Sequence, residues 1–307
     1  MSLAAAAFAL LLSCAGQRAV TSAEEYYAIG MAYFDMGKYA DAEKWLKRAR
    51  EADKTRTASD YNLGRIAFEA GRYDDALKRF QEVLAKDPDN VMALKAAAYT
   101  QVKRKDLGAA QSLYGRVLEL TPESADDGYN YALLLYIMEQ YERSEEVLSR
   151  YRFALLENSD LILLMARNQR ARRKPEAADR YAQWLEMKSD PLVRYEYALT
   201  LEEHGFFARA LEEYRSSLKD LPKDSKNPNK ADLRYRIARL SLEADPQNGE
   251  GMAELNAAVA EGFEDIPALE ALAAAVPEGR KEEIMLIIEG LAAKKAPEPG
   301  GADGGGS

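Results

Sequence analysis

The sequence is poor in the residues on which much enzymatic and metal chemistry depends. It contains 1 Cys and 1 His, so it can form neither an internal disulfide nor a tetrahedral zinc site of thiols and imidazoles. His204 directly precedes a predicted turn at Gly205, and no sequence signal places a nucleophile beside it. A phosphate-binding glycine loop is also missing. These absences predict a protein that is not an enzyme and that needs no metal or cofactor.

Basic residues are not in excess either. The 42 Lys and Arg residues are outnumbered by 51 Asp and Glu residues, and the formal net charge is −9. A general nucleic-acid binder carries a basic footprint instead. The charge balance therefore predicts that nucleic acid is not among the partners.

The N-terminal segment is apolar but short. Residues Ala4 to Leu12 are too few to span a bilayer as a helix, and they have the length of a signal-peptide core. The segment ends in Leu11-Leu12-Ser13-Cys14, which resembles the lipobox of bacterial lipoproteins. The resemblance implies cleavage before Cys14, acylation of that residue and, because Ala15 follows, an outer-membrane address on the periplasmic side. Two or more acyl chains hold a protein stably on a membrane.

The rest of the sequence predicts paired helices. It is rich in Ala, Leu, Glu, Arg and Lys, which favours helix over sheet. Small residues recur in two registers, mostly 34 residues apart, and they let two helix axes approach closely. The first register is Gly30, Gly64, Ala98, Ala132, Ala166, Ala198 and Ala238. The second register, twelve residues later in six units, is Ala42, Ala76, Ala110, Ser144, Ala178 and Ala210.

A turn is predicted between the two helices of each unit. Gly37, Gly71 and Gly205 mark it in three units, because glycine adopts the left-handed conformation that ends a helix. In the fifth unit Arg173 and Pro175 replace the turn glycine and the aromatic residue that follows it, so this hairpin is expected to open differently.

Two segments resemble the tetratricopeptide repeat consensus closely. They are residues 26–54, through Ile29-Gly30, Tyr33, Gly37, Tyr39 and Ala42, and residues 60–88, through Leu63-Gly64, Ala67, Gly71, Tyr73 and Ala76. The resemblance covers about residues 23–222 and fades in a seventh unit. It implies an all-α, right-handed α-solenoid of about six to seven helix hairpins with C-terminal capping helices. The first helices of successive units then line a concave groove.

The predicted organisation follows from these repeats. A lipoprotein signal peptide (1–13) and a lipid-anchored linker (14–22) precede a repeat array (23–263). Capping helices (264–294) and a disordered Pro/Gly/Ser tail (295–307) follow it. The units lie near residues 23–56, 57–90, 91–124, 125–158, 159–190, 191–222 and 231–263.

The candidate binding surface is the groove lined by first helices. A column of mostly tyrosines suits protein recognition, and the adjoining amides of Asn62 and Asn130 can bind an extended peptide backbone. The alternative is that the rings pack between helices with only their tips exposed. The candidate groove residues are Tyr27, Tyr61, Asn62, Arg65, Lys95, Tyr129, Asn130, Arg167, Arg170, Lys174, Tyr195 and Tyr235.

Arg167, Arg170 and Lys174 share one face of the first helix of the fifth unit. They indicate either docking of an acidic peptide or anion, or a solvated face balanced by acidic residues of adjacent repeats. The carboxylate clamp of some tetratricopeptide domains is not reproduced. Lys95 and Asn130 occupy two of its columns, and unrelated residues occupy the others.

The sequence as a whole predicts a membrane-anchored scaffold in bacterial envelope assembly or transport. It would bind a partner protein or peptide in its groove, and its membrane contact would be the lipid on Cys14. Two alternatives stay open: a soluble adaptor without a lipid, and a carrier of a small ligand inside the superhelix. A homo-oligomer is also possible, because surfaces that pair subunits and surfaces that bind a guest have the same composition.

Overall fold

A computed structural model describes residues 22–295 of the chain, with side chains through residue 293. The predicted signal peptide, Cys14, nearly all of the linker and nearly all of the C-terminal tail lie outside the described residues. The chain divides into two compact units between Glu157 and Asn158, called unit 1 and unit 2 below. The described residues contain helices and no strand, so the all-α class is confirmed.

Unit 1 consists of four helix hairpins, of which the first opens with α1 over residues 22–35. The other helices are α2 (Tyr39–Ala52), α3 (Thr57–Glu69), α4 (Tyr73–Leu84), α5 (Val91–Lys103), α6 (Leu107–Leu120), α7 (Ala125–Ile137) and α8 (Tyr141–Ser149). A short 3-10 turn, Ala154–Leu156, follows the last of them.

Unit 2 also consists of four hairpins. Its helices are α9 (Ser159–Ala171), α10 (Glu176–Met187), α11 (Pro191–Glu203), α12 (Phe207–Asp220), α13 (Lys230–Ala244), α14 (Gly249–Ala260), α15 (Ile266–Ala275) and α16 (Glu278–Lys295). Among the described residues, no helix is both long enough and apolar enough to cross a membrane.

The hairpin turns share one backbone conformation. Gly37, Gly71 and Gly205 have φ values of 71°, 72° and 81°. Non-glycine residues fill the same place in the other three of the first six hairpins: Lys105, Glu139 and Arg173, with φ values of 64°, 59° and 55°.

The expectation that the fifth hairpin opens differently is wrong. The backbone N–H of Lys174 donates to the carbonyl of Gln169 at 2.9 Å, as Lys38 does to Tyr33 in the first hairpin. This six-residue closure satisfies a carbonyl at the end of the first helix. Arg173 supplies the left-handed residue itself, and Pro175 stands at the N-cap of α10, where a missing N–H costs nothing.

Small residues allow the two helices of a hairpin to pack closely. A Cβ atom on Gly64 would lie 2.6 Å from Cε1 of Phe80, and one on Gly30 would lie 2.8 Å from Cγ of Leu46. Phe80 and Leu46 are almost completely buried. The rows of small residues in the sequence therefore correspond to helix–helix contacts.

The last hairpin, α15–α16, covers the apolar face of the hairpin before it. Leu269, Leu272 and Ile284 are buried in one cluster with Leu242 of α13 and Leu255 of α14. This hairpin therefore buries apolar surface that would otherwise face water at the end of unit 2.

Candidate functional site

The first helices of unit 1 line an open cleft of about 360 Å³. Its residues come from three successive first helices, from Val83 of α4 and from the turn before α5. They include Tyr27 and Met31 of α1, Tyr61 and Arg65 of α3, and Asn90 and Met92 around the start of α5. The cleft thus brings together four of the residues predicted for the groove, since Asn62 also lines it, with Met31, Asn90 and Met92, which were not predicted.

Tyr27, Asn62 and Arg65 form a hydrogen-bonded chain on one wall of the cleft. Asn62 is buried, and its Nδ2 donates to the hydroxyl of Tyr27 and to the carbonyl of Ala58, both at 3.0 Å. Nη1 of Arg65 donates to Oδ1 of Asn62 at 3.1 Å. The amide that the sequence assigned to a guest backbone therefore joins α1 to α3.

The positive charge of Arg65 is not neutralised by that hydrogen bond, because Asn62 is uncharged. Its guanidinium lies 4.3 Å from the ring centroid of Phe34, a favourable cation–π contact. It has no carboxylate partner in the described part of the chain. Arg65 therefore presents an unneutralised cation at the edge of the cleft.

The cleft also has an exposed apolar side. The side chain of Met92 is 61% exposed, and Tyr61 packs on Phe80 with a centroid distance of 5.7 Å. One turn beyond the tyrosine column, Tyr99 is 45% exposed and lies 5.2 Å from the ring of Phe68. Exposed Met and Tyr side chains adapt well to a bound apolar surface.

Lys95 is committed to a neighbouring helix. Its Nζ lies 2.5 Å from Oδ1 of Asp127, a buried carboxylate at the start of α7. Burial alone raises the pKa of Asp127, but hydrogen bonds from Lys95, Thr121 and Ser124 outweigh it and hold this pKa below its ordinary value. The pair fixes α5 against α7.

Asn130 is the predicted amide that remains available. It is half-buried on α7, and its side chain makes no hydrogen bond within the described residues. Tyr129, its neighbour, is also half-buried. An amide at the surface can donate to and accept from the backbone of an extended peptide.

In unit 2 the predicted cations are paired. Arg167 makes a two-point contact with Glu196, through Nε at 2.9 Å and Nη2 at 2.8 Å, and the hydroxyl of Tyr181 donates to the same carboxylate. Arg170 lies 2.9 Å from Glu203. Lys174 is half-buried at the end of the same hairpin turn. This arrangement corresponds to the alternative in which acidic residues of the adjacent repeat balance the cluster.

The remaining two tyrosines of the column pack inside unit 2. Tyr195 lies 5.8 Å from the ring of Tyr214, and Tyr235 stacks on Phe263 at 4.2 Å. The hydroxyl of Tyr235 donates to the carbonyl of Ala268 at 2.7 Å. Both rings therefore contribute to packing between helices.

Sequence reasoning missed Met31, Asn90 and Met92. Met31 lies one helical turn after Tyr27, in the same register that Arg65 and Tyr99 occupy in the next two repeats. That register was the available signal, since residues four apart share a helix face. Met92 lies one turn before the tyrosine column.

Comparisons with known proteins agree with the hairpin architecture. Two family models, each described as tetratricopeptide repeat, match residues 27–91 and 67–125. A tetratricopeptide repeat protein of Parabacteroides merdae superposes with a TM-score of 0.57 at 20% identity, covering 83% of this chain and 99% of that one. The structure of pilF from Pseudomonas aeruginosa gives 0.53 at 18% identity, covering 76% and 98%. The fold is therefore that of tetratricopeptide helix hairpins.

Relatives by sequence are distant. An uncharacterized lipoprotein of Treponema pallidum is 24% identical over 156 residues, which is 51% of this chain and 79% of that protein. The mouse NatA auxiliary subunit N-alpha-acetyltransferase 16 is 21% identical over 117 residues, or 38% of this chain. The chain spans only 14% of that subunit's length, so the match assigns no catalytic role.

Proposed function

We propose that this chain is a lipid-anchored tetratricopeptide scaffold, and that the first-helix cleft of unit 1 binds an extended segment of a partner protein. One observation carries the proposal: the cleft and the next first helix along the chain, α7, present groups that internal contacts leave available. In the cleft Met92 is exposed and Arg65 has no carboxylate partner within the described residues, and on α7 the side chain of Asn130 makes no hydrogen bond within them. Such a combination of apolar, cationic and amide groups suits a peptide with apolar and acidic side chains.

The candidate groove residues of unit 2 are engaged in internal contacts, which favours unit 1 as the binding site. Arg167 and Arg170 are paired with carboxylates, and Tyr195 and Tyr235 pack on other rings. A guest would have to break these contacts before making its own, which costs affinity. The proposal therefore rests on unit 1, and its groove residues are Tyr27, Tyr61, Arg65, Met92 and Asn130.

Photo-crosslinking in the native host tests the cleft. A photoreactive residue replaces Met92 in one strain and Met187, an exposed methionine of unit 2, in the other. Cross-links to a small set of proteins are expected from position 92 and not from position 187. A reporter at position 99 should capture the same proteins in the otherwise wild-type chain and should lose them in the double variant Met92→Glu, Asn130→Ala. Neither replaced side chain makes a hydrogen bond or an ion pair within the described residues, so the loss would not come from a broken internal polar contact. Equal recovery from both positions would show that the cleft is not the binding site.

The anchor is the second part of the proposal. It is supported by the lipobox resemblance at Cys14 and by the similarity to a Treponema pallidum lipoprotein. A scaffold held on the periplasmic side of the outer membrane fits a role in envelope assembly or transport. Metabolic labelling with radioactive palmitate should mark the wild-type chain and not Cys14→Ser. Label that persists in Cys14→Ser, or that never appears, contradicts the anchor and leaves the soluble adaptor as the better description.

A further inference from the structure

The outer face of the first hairpin that the structure describes is aromatic. This end face consists of Tyr26, Ile29 and Tyr33 on α1 together with Trp45 and Arg48 on α2. The rings of Tyr26 and Trp45 lie 5.7 Å apart, and the guanidinium of Arg48 lies 4.9 Å from the indole centroid. Ile29 is 38% exposed.

The second hairpin shows what these positions normally contact. The residues 34 positions after Tyr26 and Ile29 are Asp60 and Leu63, which are 1% and 4% exposed. Asp60 pairs with Arg50 of the first hairpin at 2.5 Å, and Leu63 shares an apolar cluster with Leu46. Tyr26 and Ile29 therefore occupy the positions at which a hairpin packs on the hairpin before it. In the first hairpin these positions carry an aromatic and an aliphatic side chain.

From this placement we propose that the end face lies in the interfacial layer of a lipid bilayer, with Trp45 inserted among the headgroups. Tyr and Trp are enriched in that layer because the ring is apolar while the hydroxyl or indole N–H stays hydrated. Arg48 next to Trp45 offers a cation to lipid phosphates. The exposed carboxylates of Glu25 and Asp41 nearby oppose strongly anionic lipids, so the surface suits a zwitterionic membrane.

Chain length supports a bilayer as the occupant. The inference rests on the proposed lipid at Cys14, and residues 15–21 between that anchor and α1 reach roughly 24 Å when fully extended. Residues 22–35 form a helix of about 21 Å. A lipid on Cys14 therefore keeps this end of unit 1 within reach of the membrane, and the lipid and the end face act as two linked attachments.

Tryptophan fluorescence can test the contact, because the chain has 2 Trp residues and they lie in different units. Trp184→Phe leaves Trp45 as the reporter, and Trp45→Phe leaves Trp184, which is 6% exposed in unit 2 and serves as the matched control. Residues 14–307, the form left by the proposed cleavage, are coupled through the Cys14 thiol to phosphatidylcholine vesicles that contain maleimide-bearing lipid. Parallel vesicles carry brominated acyl chains, which quench indoles that enter the bilayer.

The proposal expects Trp45 emission to shift to shorter wavelength on coupling and to be quenched in brominated vesicles. Trp184 emission should change in neither vesicle. Ile29→Glu, a change at an exposed position, should abolish the quenching of Trp45 while the circular dichroism spectrum is kept. Trp45 emission that is identical in brominated and ordinary vesicles overturns the proposal.

Trp45 emission could also shift to shorter wavelength without quenching, by an amount that grows with protein concentration in solution. That result overturns the membrane proposal in favour of a second copy of the chain. The coupling is made chemically, so its outcome does not depend on whether the cell acylates Cys14. Palmitate labelling decides the anchor, and cross-linking at position 92 decides the cleft. A failure of the membrane contact can therefore be told apart from a failure of the proposed function.

Discussion

At the scale of single residues, the hairpin turns depend on a left-handed backbone conformation. The Cβ position of Gly71 has no atom within 4 Å, so the only obstacle to a side chain there is the φ value of +72°. An L-residue in this region costs about 1–2 kcal/mol, part of which is offset because alanine also restricts the unfolded chain.

Gly71→Ala should therefore destabilise the protein by about 1 kcal/mol, measured as the loss of unfolding free energy in urea. Gly290→Ala is the matched control. Gly290 lies in α16 with open space around its Cβ position and no left-handed conformation, so alanine there should stabilise by about 0.5–1 kcal/mol. Equal effects of the two substitutions would contradict the assignment of the cost to the turn.

Asp127 gives the protein a pH dependence. Its pKa in the folded state is lowered from the ordinary value of 3.8, so its contribution to stability is fully present above that value. The contribution is lost as the pH falls through the lowered folded-state pKa. Asp127→Asn should lower the unfolding free energy by about 1 kcal/mol at about pH 7 and by less at a pH below the lowered folded-state pKa, where wild type is protonated as well.

Urea unfolding of both proteins at the two pH values measures this difference. Asp74→Asn is a suitable control, because Asp74 is 86% exposed and its ion pair with Arg104 is worth little. A gap between wild type and Asp127→Asn that stays constant with pH would show that the carboxylate charge is not what stabilises α7.

At the scale of helices, carboxylates of unit 2 join successive hairpins. Glu202 of α11 accepts a hydrogen bond at 2.6 Å from the hydroxyl of Tyr214 and another at 2.5 Å from Arg239 of α13. Tyr214 is completely buried, and its burial together with the charge of Glu202 raises the pKa of its hydroxyl. The hydroxyl therefore stays protonated and donates at neutral pH.

Tyr214→Phe should cost about 1.5–2 kcal/mol, the range of a hydrogen bond to a charged group. In a Glu202→Gln background the same change should cost less, because the charge that strengthens the bond has gone. Tyr39→Phe is the control, because Tyr39 is exposed and its hydroxyl makes no hydrogen bond within the described residues. This change should leave the unfolding free energy nearly unchanged. Additive losses in the double variant would rule out the coupling.

At the scale of the whole molecule, a stack of repeats distributes its stability along the chain. Within each unit a hairpin packs on its sequence neighbours, so a destabilised hairpin affects those neighbours first. Leu272 of α15 and Leu46 of α2 are both almost completely buried, one in the last hairpin and the other in the first.

Leu272→Ala should cost about 2–4 kcal/mol and should speed amide hydrogen exchange in α13–α16 while leaving α2–α4 protected. Leu46→Ala should give the opposite pattern. Exchange that accelerates uniformly over the whole chain in either variant would mean that the array unfolds in a single step.

The local features of this protein could be predicted from its sequence. The period of 34, the small residues at helix contacts and the glycine turns each depend on neighbours within one hairpin. The turns at Lys105, Glu139 and Arg173 were the exceptions, because such residues in a left-handed turn have no sequence signature and only the surrounding closure holds them there.

Only the tertiary structure decided which candidate groove residues are open to a partner. Asn62 donates to Tyr27 over a separation of 35 residues, and Arg167 pairs with Glu196 over 29. Such partners come from the adjacent hairpin, so the sequence of one repeat cannot show whether a polar group is already satisfied. The sequence determined the helix pairs and the surface they share. The packing of one hairpin on the next decided that, within the described residues, Met92 is exposed, Arg65 has no carboxylate partner and the side chain of Asn130 makes no hydrogen bond.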